Sequence, residues 1–394
     1  MTNIRCQSLL VFATFAFLTP TFTGLAQKPA AGTHYLAFVG TYTNKTESKG
    51  IYAFDFDSAT GKLTSKGVAA ETPDPSWIVL HPSGKFLYAA NESGKRSTIT
   101  AFSVDAKSAR LTQLNQLPAL GEDPCHLSVD RTGKYLFVAN YSSGNVVVFP
   151  ILPDGRLGEH TANVKDTGTL GPNKKRQEGP HAHWVQVSPD NRFLLVADLG
   201  LDAILSYRFD AAKGTLSPND PPLAKLAPGA GPRHAVFSSS GRFLYVVDEL
   251  DSTVTAFSYN PAHGALHKLN AISTLPVGSR GRNDAAEIAL LPVGESTEGL
   301  FASNRGFDSF ALTFADRDNG GLGSPVSIYP AGGKEPRHFA IDPLGHFLLG
   351  ENQNSNTITV FRLEAPLFTF PWKKASEVTV PSPVCLVFLS DQNL

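Results

Sequence analysis

Three features of this 394-residue sequence predict an all-β fold of repeated sheets closed into a ring. A phrase of two apolar strands around a Gly or Asn turn recurs about every 50 residues, the length of one propeller blade. A third strand with alternating aromatics follows most copies. One unit is split, with its outer strands at the N-terminus and its inner strand at the C-terminus. Counting that unit, seven copies emerge, so the expected architecture is a seven-bladed β-propeller whose terminal strands share one blade. Such closure removes the sheet edges that would otherwise template aggregation.

The elements follow in order. Residues 1–26 stand apart: Arg5, an apolar run from Leu9 to Leu18, then Gly24-Leu25-Ala26 before Gln27. A charged start, an apolar stretch and small residues at the cleavage site are the pattern of a secretory signal peptide. The other reading is a membrane anchor, but the run is short against the roughly 20 residues a span needs, and Pro20 interrupts it. Cleavage after Ala26, a short linker over 27–33, a single propeller domain over 34–394 and a secreted or periplasmic location are therefore expected, with no stable membrane insertion.

The first unit supplies strands over Tyr35–Gly40, Gly50–Asp57 and Gly61–Ala69, and lacks a preceding inner strand. The phrase itself reads PSWIVLHPSGKFLYAAN from Pro75, PCHLSVDRTGKYLFVAN from Pro124, HAHWVQVSPDNRFLLVAD from His181, PRHAVFSSSGRFLYVVD from Pro232 and PRHFAIDPLGHFLLGEN from Pro336. A degenerate copy starts at Asp284 and reaches Ser303. Third strands such as Ile99–Val104, Ile204–Phe209 and Val254–Tyr259 carry aromatics suited to packing between blades. Gly-containing turns followed by Leu, as in Lys213-Gly214-Thr215-Leu216, lead into an outer edge strand. Two insertions depart from the repeat: the polar stretch Thr167–Gly179, and Pro366–Lys374 with Phe368, Phe370 and Trp372, a candidate cap for the ring. Val384–Leu389 completes the first unit.

Composition narrows the function. The formal charge is −1 and hydrophobic residues make up 42%, so the core is ample and no global basic field attracts nucleic acid or anionic lipid. Any anion site must be local. Cys125 and Cys385 fall one register position apart on the inner strands of different repeats, which points to two free, buried thiols rather than a disulfide. No P-loop, Rossmann glycine fingerprint or nucleophile elbow occurs in a supporting context, and no cofactor is expected.

Candidate site residues emerge where the repeats disagree. In a propeller, equivalent inner-strand positions form rings around the axis. One position reads Ser76, Cys125, His183, Arg233, Ala286 and Arg337; the next reads Trp77, His126, Trp184, His234, Glu287 and His338. After the second strand come Thr41, Asn91, Asn140, Asp198, Asp248, Asn304 and Asn352, then Tyr42, Glu92, Tyr141, Leu199, Glu249, Arg305 and Gln353. The Asn/Asp ring is uniform, as expected for side chains that bond turn backbone. His183, Arg233, Glu249 and Arg305 break the uniformity with charge. Two guanidiniums, a carboxylate and an imidazole could bind an anion and polarise a carbonyl, with Glu249 or His183 as general base. The competing reading is an ion-pair cluster that fills the channel. His181, His234, Arg337, His338 and Asn304 join the quartet as candidate substrate-binding residues. The histidines also raise a metal reading, weakened because ring members lie far apart unless the channel is narrow; no metal is assigned.

These phrases resemble the seven-bladed lactonase family, which includes bacterial propeller-type 6-phosphogluconolactonases and fungal carboxymuconate-lactonizing enzymes. The resemblance runs from about Tyr35 to Leu389 and rests on the His-Ala-His phrase at His181, the Pro-Arg-His phrase at Pro232 and the Asp-Glu at Asp248, supported by GTYT and the PSGK turn. The family's His, Arg, Glu, Arg set falls by motif on His183, Arg233, Glu249 and Arg305. The resemblance implies hydrolysis of a cyclic ester, with a small anionic or polyhydroxylated lactone as the partner molecule. Family members act in the cytosol on a phosphorylated lactone, whereas this chain carries an export-like N-terminus, so a non-phosphorylated aldonolactone is the expected departure. A non-catalytic periplasmic scaffold and a muconate-type cycloisomerase are the alternatives. If the site is catalytic, Arg233→Ala and Glu249→Gln are expected to cut turnover by roughly 10²-fold or more without loss of fold, as for exposed charges.

Overall fold

The computed structural model describes residues 33–324, 326–364 and 372–389. Residues 1–26, Phe368 and Phe370 lie outside them. Seven four-stranded antiparallel sheets form the ring, and the described residues contain no α-helix, only short 3₁₀ turns at Gly94–Arg96 and Gln353–Ser355. The first blade runs, from the inside outwards, Pro383–Leu389, His34–Thr41, Gly50–Asp57 and Lys62–Glu71. The two termini thus close the ring within one sheet, with Phe38 opposite Val387 and Val39 opposite Leu386.

The other six blades run in simple sequence order from an inner to an outer strand. Their inner strands are Pro75–Leu80, Pro124–Val129, Ala182–Val187, Pro232–Phe237, Ala285–Val293 and Pro336–Ile341. The degenerate sequence from Asp284 is therefore a full inner strand.

Apolar side chains from facing blades interlock in the seams, where burial of roughly 25 cal/mol per Å² of apolar surface drives closure. Phe54 and Phe56 of the first blade pack with Phe347 and Val360 of the last, and the Phe56 and Phe347 rings meet edge to face at 5.7 Å. Trp372, expected in a cap, lies instead in the seam between the sixth and seventh blades, stacked on Tyr329 at 3.8 Å. Its large apolar surface is better hidden between sheets than over a polar channel mouth.

The Asn/Asp ring is buried and spends its hydrogen bonds on turns. Asn91 donates to Pro73 O, Asn140 to Ala119 O and Asn352 to Ala331 O. Asp198 accepts from the backbone N–H groups of His181 and Leu201.

Candidate active site

One irregularity, repeated in every blade, builds the site. Side chains alternate faces along a regular strand. Here the register between the innermost strand and its neighbour slips once per blade, leaving an extra residue unpaired. The extra residues are Ser76, Cys125, His183, Arg233 and Arg337, with Ala286 and Glu287 together in the sixth blade and Val384 in the first. A β-bulge re-aims the side chain it carries. Neighbouring residues such as Arg233 and His234 therefore serve two successive layers around the axis.

The second layer closes the channel. Trp77 meets His126, His234 and His338 at ring-centroid distances of 4.4, 5.0 and 5.4 Å, contacts that reach across the ring. His234 Nδ1 lies 2.9 Å from Glu287, and His338 Nδ1 lies 2.6 Å from Glu351. Burial holds His234 down at about 4, against the pull of Glu287. His338 is raised despite burial because Glu287 and Glu351 flank it. The channel is thus narrow enough for the histidines to touch. Even so, no group of three or more His, Cys, Asp or Glu side chains among the described residues is arranged to hold a metal.

The first layer opens on a well of about 260 Å³ lined by Glu92, Cys125, Tyr141, Arg176, His183, Glu249, Arg305 and Arg337. Glu249 is its hub. One carboxylate oxygen accepts from Arg176 Nη2; the other lies 3.1 Å from Arg233 Nε and 2.8 Å from Arg305 Nη2. Burial alone would raise the Glu249 carboxyl, but Arg305, Arg233 and Arg176 hold it at about 2. Arg233 is lowered to about 10 by burial and by its neighbours Arg305 and Arg337, and so remains charged at neutral pH. Its Nη1 donates to Ala286 O at 2.7 Å, which fixes it behind Glu249.

The opposite wall is a second charged unit. Arg337 sits 5.4 Å over the Tyr42 ring, and Tyr42 donates to Glu92 at 2.8 Å. His183 faces Cys125, with Nδ1 3.7 Å from Sγ. Burial, then the nearby Arg233 charge, keeps His183 well below its ordinary value, so it is neutral at neutral pH. Burial pushes the Cys125 thiol up. Cys125 and Cys385 are both free and buried. Cys385 is not the bulged residue of its strand and approaches Ile78 O instead.

The structure therefore brings His183, Glu249, Arg305 and Arg337 to one well, with Arg233 directly behind it. It places the other candidates differently. His181 stacks on Tyr141 at 4.5 Å, its Nδ1 3.0 Å from Tyr141 O, and so supports the wall. His234 and His338 belong to the layer beneath. Asn304 donates to Thr274 O and accepts from Asn283, an integral part of its turn.

Arg176 is the largest omission of the sequence reading. It lies in the Thr167–Gly179 insertion, which has no counterpart in the other repeats. Glu92 and Tyr141 share a repeat position with Glu249 and Arg305, and Cys125 shares one with His183. Burial is the other correction. Arg233 and Glu249 are each only 2% exposed. Replacing Glu249 leaves Arg233 buried without the carboxylate it faces, a change that typically costs about 3–5 kcal/mol, whereas replacing Arg233 leaves Glu249 still paired with Arg176 and Arg305. The expectation that both could be replaced without loss of fold rested on exposed charges, and at this burial neither residue is one.

The molecule is thus a seven-bladed propeller with a charged, carboxylate-centred well at one mouth of a closed channel. Residues 36–388 match the family model described as lactonase, 7-bladed beta-propeller. The chain is similar to a Bacillus subtilis 6-phosphogluconolactonase, 32% identical over 360 residues that cover 91% of this chain and 99% of the relative. A 6-phosphogluconolactonase of Formosa agariphila is 34% identical over 331 residues, covering 82% and 91%. Among solved structures, the periplasmic gluconolactonase of Pseudomonas aeruginosa superposes with a TM-score of 0.83 at 32% identity, covering 91% and 99%. This chain belongs to the seven-bladed β-propeller lactonase family, a family of carboxylic-ester hydrolases.

Proposed function

We propose that this protein hydrolyses the lactone of a sugar acid in the well around Glu249. The observation that carries the reading is the pairing of a neutral, buried His183 with an arginine-rich wall in one cavity. Water attacks the lactone carbonyl carbon, His183 accepts its proton, the ring C–O bond breaks, and the proton passes to the released ring oxygen to give the open hydroxy acid. Arg305 and Arg337 face the charge that develops on the carbonyl oxygen; preorganised donors of this kind act strongly where water is excluded. Glu249 is a poor base, because its carboxylate is held at about 2 and both its oxygens already face guanidiniums. Its role is to fix Arg176, Arg233 and Arg305 in place.

Three arginines against two glutamates line the well, which suits a substrate that is anionic or gains negative charge in the transition state. The export-like N-terminus and the likeness to a periplasmic gluconolactonase favour a non-phosphorylated aldonolactone encountered outside the cytoplasm. Among the described residues no helix is long and apolar enough to cross a membrane. The competing reading is a channel-filling scaffold; the internal pairing of Glu249 favours it, and the open well beside that cluster counts against it. The test is acid release from glucono-δ-lactone in a pH-stat, corrected for spontaneous opening. Activity reduced roughly 10²-fold by His183→Ala supports the assignment; a wild-type protein that releases no acid from any sugar lactone overturns it.

A further inference from the structure

A second cavity adjoins the well. It is an open cleft of about 730 Å³ between the Thr167–Gly179 insertion and residues 275–284, with walls that include Asn173, Ser252, Ser273, Leu275, Pro276 and Ser279. Arg176 lines both spaces. Its Nη2 donates to Glu249 on the well side, and its Nη1 lies 3.8 Å from Asp284 on the cleft side. Asp284 touches the well again through its carbonyl, which accepts from Arg305 Nε at 3.2 Å. The two spaces are therefore parts of one site, divided by a single side chain.

Their sizes and chemistry differ. Small-molecule sites occupy about 300–1,000 Å³; the cleft falls inside that range and the 260 Å³ well below it. The well suits one ring, and the cleft suits something larger attached to it. The charges of the cleft largely cancel. Arg282 pairs with Asp284 at 2.8 Å, and Arg176 pairs with Glu249 and Asp284. Lys175 and Asp251 add one charge of each sign to the wall, and the rest is hydroxyl and amide groups beside the apolar stretch Leu275–Val277, whose last side chain is fully exposed. A sugar ring presents hydroxyls on its edge and C–H groups on its faces, which matches this wall; a phosphate would meet Lys175 but also the carboxylates of Asp251 and Asp284.

We propose that the cleft is a subsite for a second sugar ring, so that the preferred substrate is a glycosylated aldonolactone, the lactone of a disaccharide acid. The lactone ring occupies the well, and the glycosyl unit passes Arg176 into the cleft. This assignment rests on the lactonase reading above, and its test separates the two.

The experiment compares kcat/KM for glucono-δ-lactone, 6-phosphogluconolactone and cellobiono-δ-lactone, in the wild type and in Ser279→Trp, which fills the cleft from an exposed turn away from Glu249. Equilibrium dialysis of cellobionate and gluconate supplies a readout without turnover. The expected result is a preference of at least about tenfold for the disaccharide lactone, abolished by Ser279→Trp, with the gluconolactone rate unchanged within about twofold. Hydrolysis of gluconolactone with no such preference, or a preference for the phosphorylated lactone, overturns the subsite and leaves the lactonase reading standing. Hydrolysis of none of the lactones, with cellobionate still bound in a Ser279→Trp-sensitive way, overturns the lactonase reading and keeps the subsite. Neither hydrolysis nor binding overturns both.

Discussion

Replacing Glu249 by Gln tests whether the carboxylate organises the well. The change keeps shape and volume and removes one charge. Arg176, Arg233 and Arg305 then lose the carboxylate they share, which Arg305 and Arg233 approach at 2.8 and 3.1 Å beside Arg176. Only the more distant Asp284 and Glu335, at 3.8 and 4.0 Å, still face Arg176 and Arg305. The Glu249 carboxyl is held at about 2 against an ordinary 4.5. At about 1.4 kcal/mol for each tenfold change in proton affinity, the charged form is favoured on the order of 3 kcal/mol by the folded surroundings. The cost of breaking a buried ion pair, about 3–5 kcal/mol, agrees. The sign follows from linkage. A carboxyl depressed in the folded state stabilises above its unfolded value, and that contribution is lost as pH falls through the folded value. The variant should therefore melt several degrees below the wild type at pH 7, and the gap should narrow as pH drops from 4.5 towards 2. Thermal melts of both proteins across that range, followed by circular dichroism, are the assay. A variant that melts with the wild type at pH 7, or a gap that does not shrink with acid, would refute the ion-pair reasoning.

Three further outcomes are expected. Because burial and Arg233 keep His183 well below 6.5, the acid limb of kcat/KM should fall well below pH 6.5; a limb centred at 6.5 or above removes His183 as the base. Cys125 and Cys385 are buried, with their thiols pushed up by burial, so iodoacetamide at pH 8 should label neither in the native protein and both after unfolding, as mass spectrometry would report. Ending the chain at Thr379 removes Pro383–Leu389 and leaves His34–Thr41 with a bare edge; size-exclusion chromatography should show aggregation, and a soluble monomer with wild-type melting would contradict the closure argument.

The blade count and ring closure were legible because both follow from patterns the backbone must obey. Apolar strand pairs recur at fixed spacing, and an incomplete first unit demands its missing strand from the far end of the chain. The quartet was legible for a related reason: equivalent positions in a ring should match, and charge that breaks the match needs a cause. The same comparison could not separate the two layers around the axis. His234 and His338 carry the same chemistry as wall residues, and only the bulge at Arg233 and Arg337 sends them one layer deeper. Asn304 was readable as a turn residue from its ring, and the structure keeps it there.

Arg176 shows why a repeat comparison has a blind side. An insertion has no equivalents to disagree with, so nothing in the alignment of blades marks it. Yet insertions are where a symmetric scaffold acquires asymmetry, since the blades themselves supply near-identical walls. The bulge gives each blade one re-aimed side chain, and variation at that position places Cys125, His183, Arg233 and Arg337 around the channel mouth. The insertion then brings a guanidinium from outside the repeat onto Glu249 and divides the mouth into well and cleft. On the proposed reading, chemistry in the well follows from ring positions, and the loop shares the walls of the adjoining cleft with residues 275–284. Changes confined to Thr167–Gly179 should accordingly alter which lactone is accepted before they alter how its ester bond is broken.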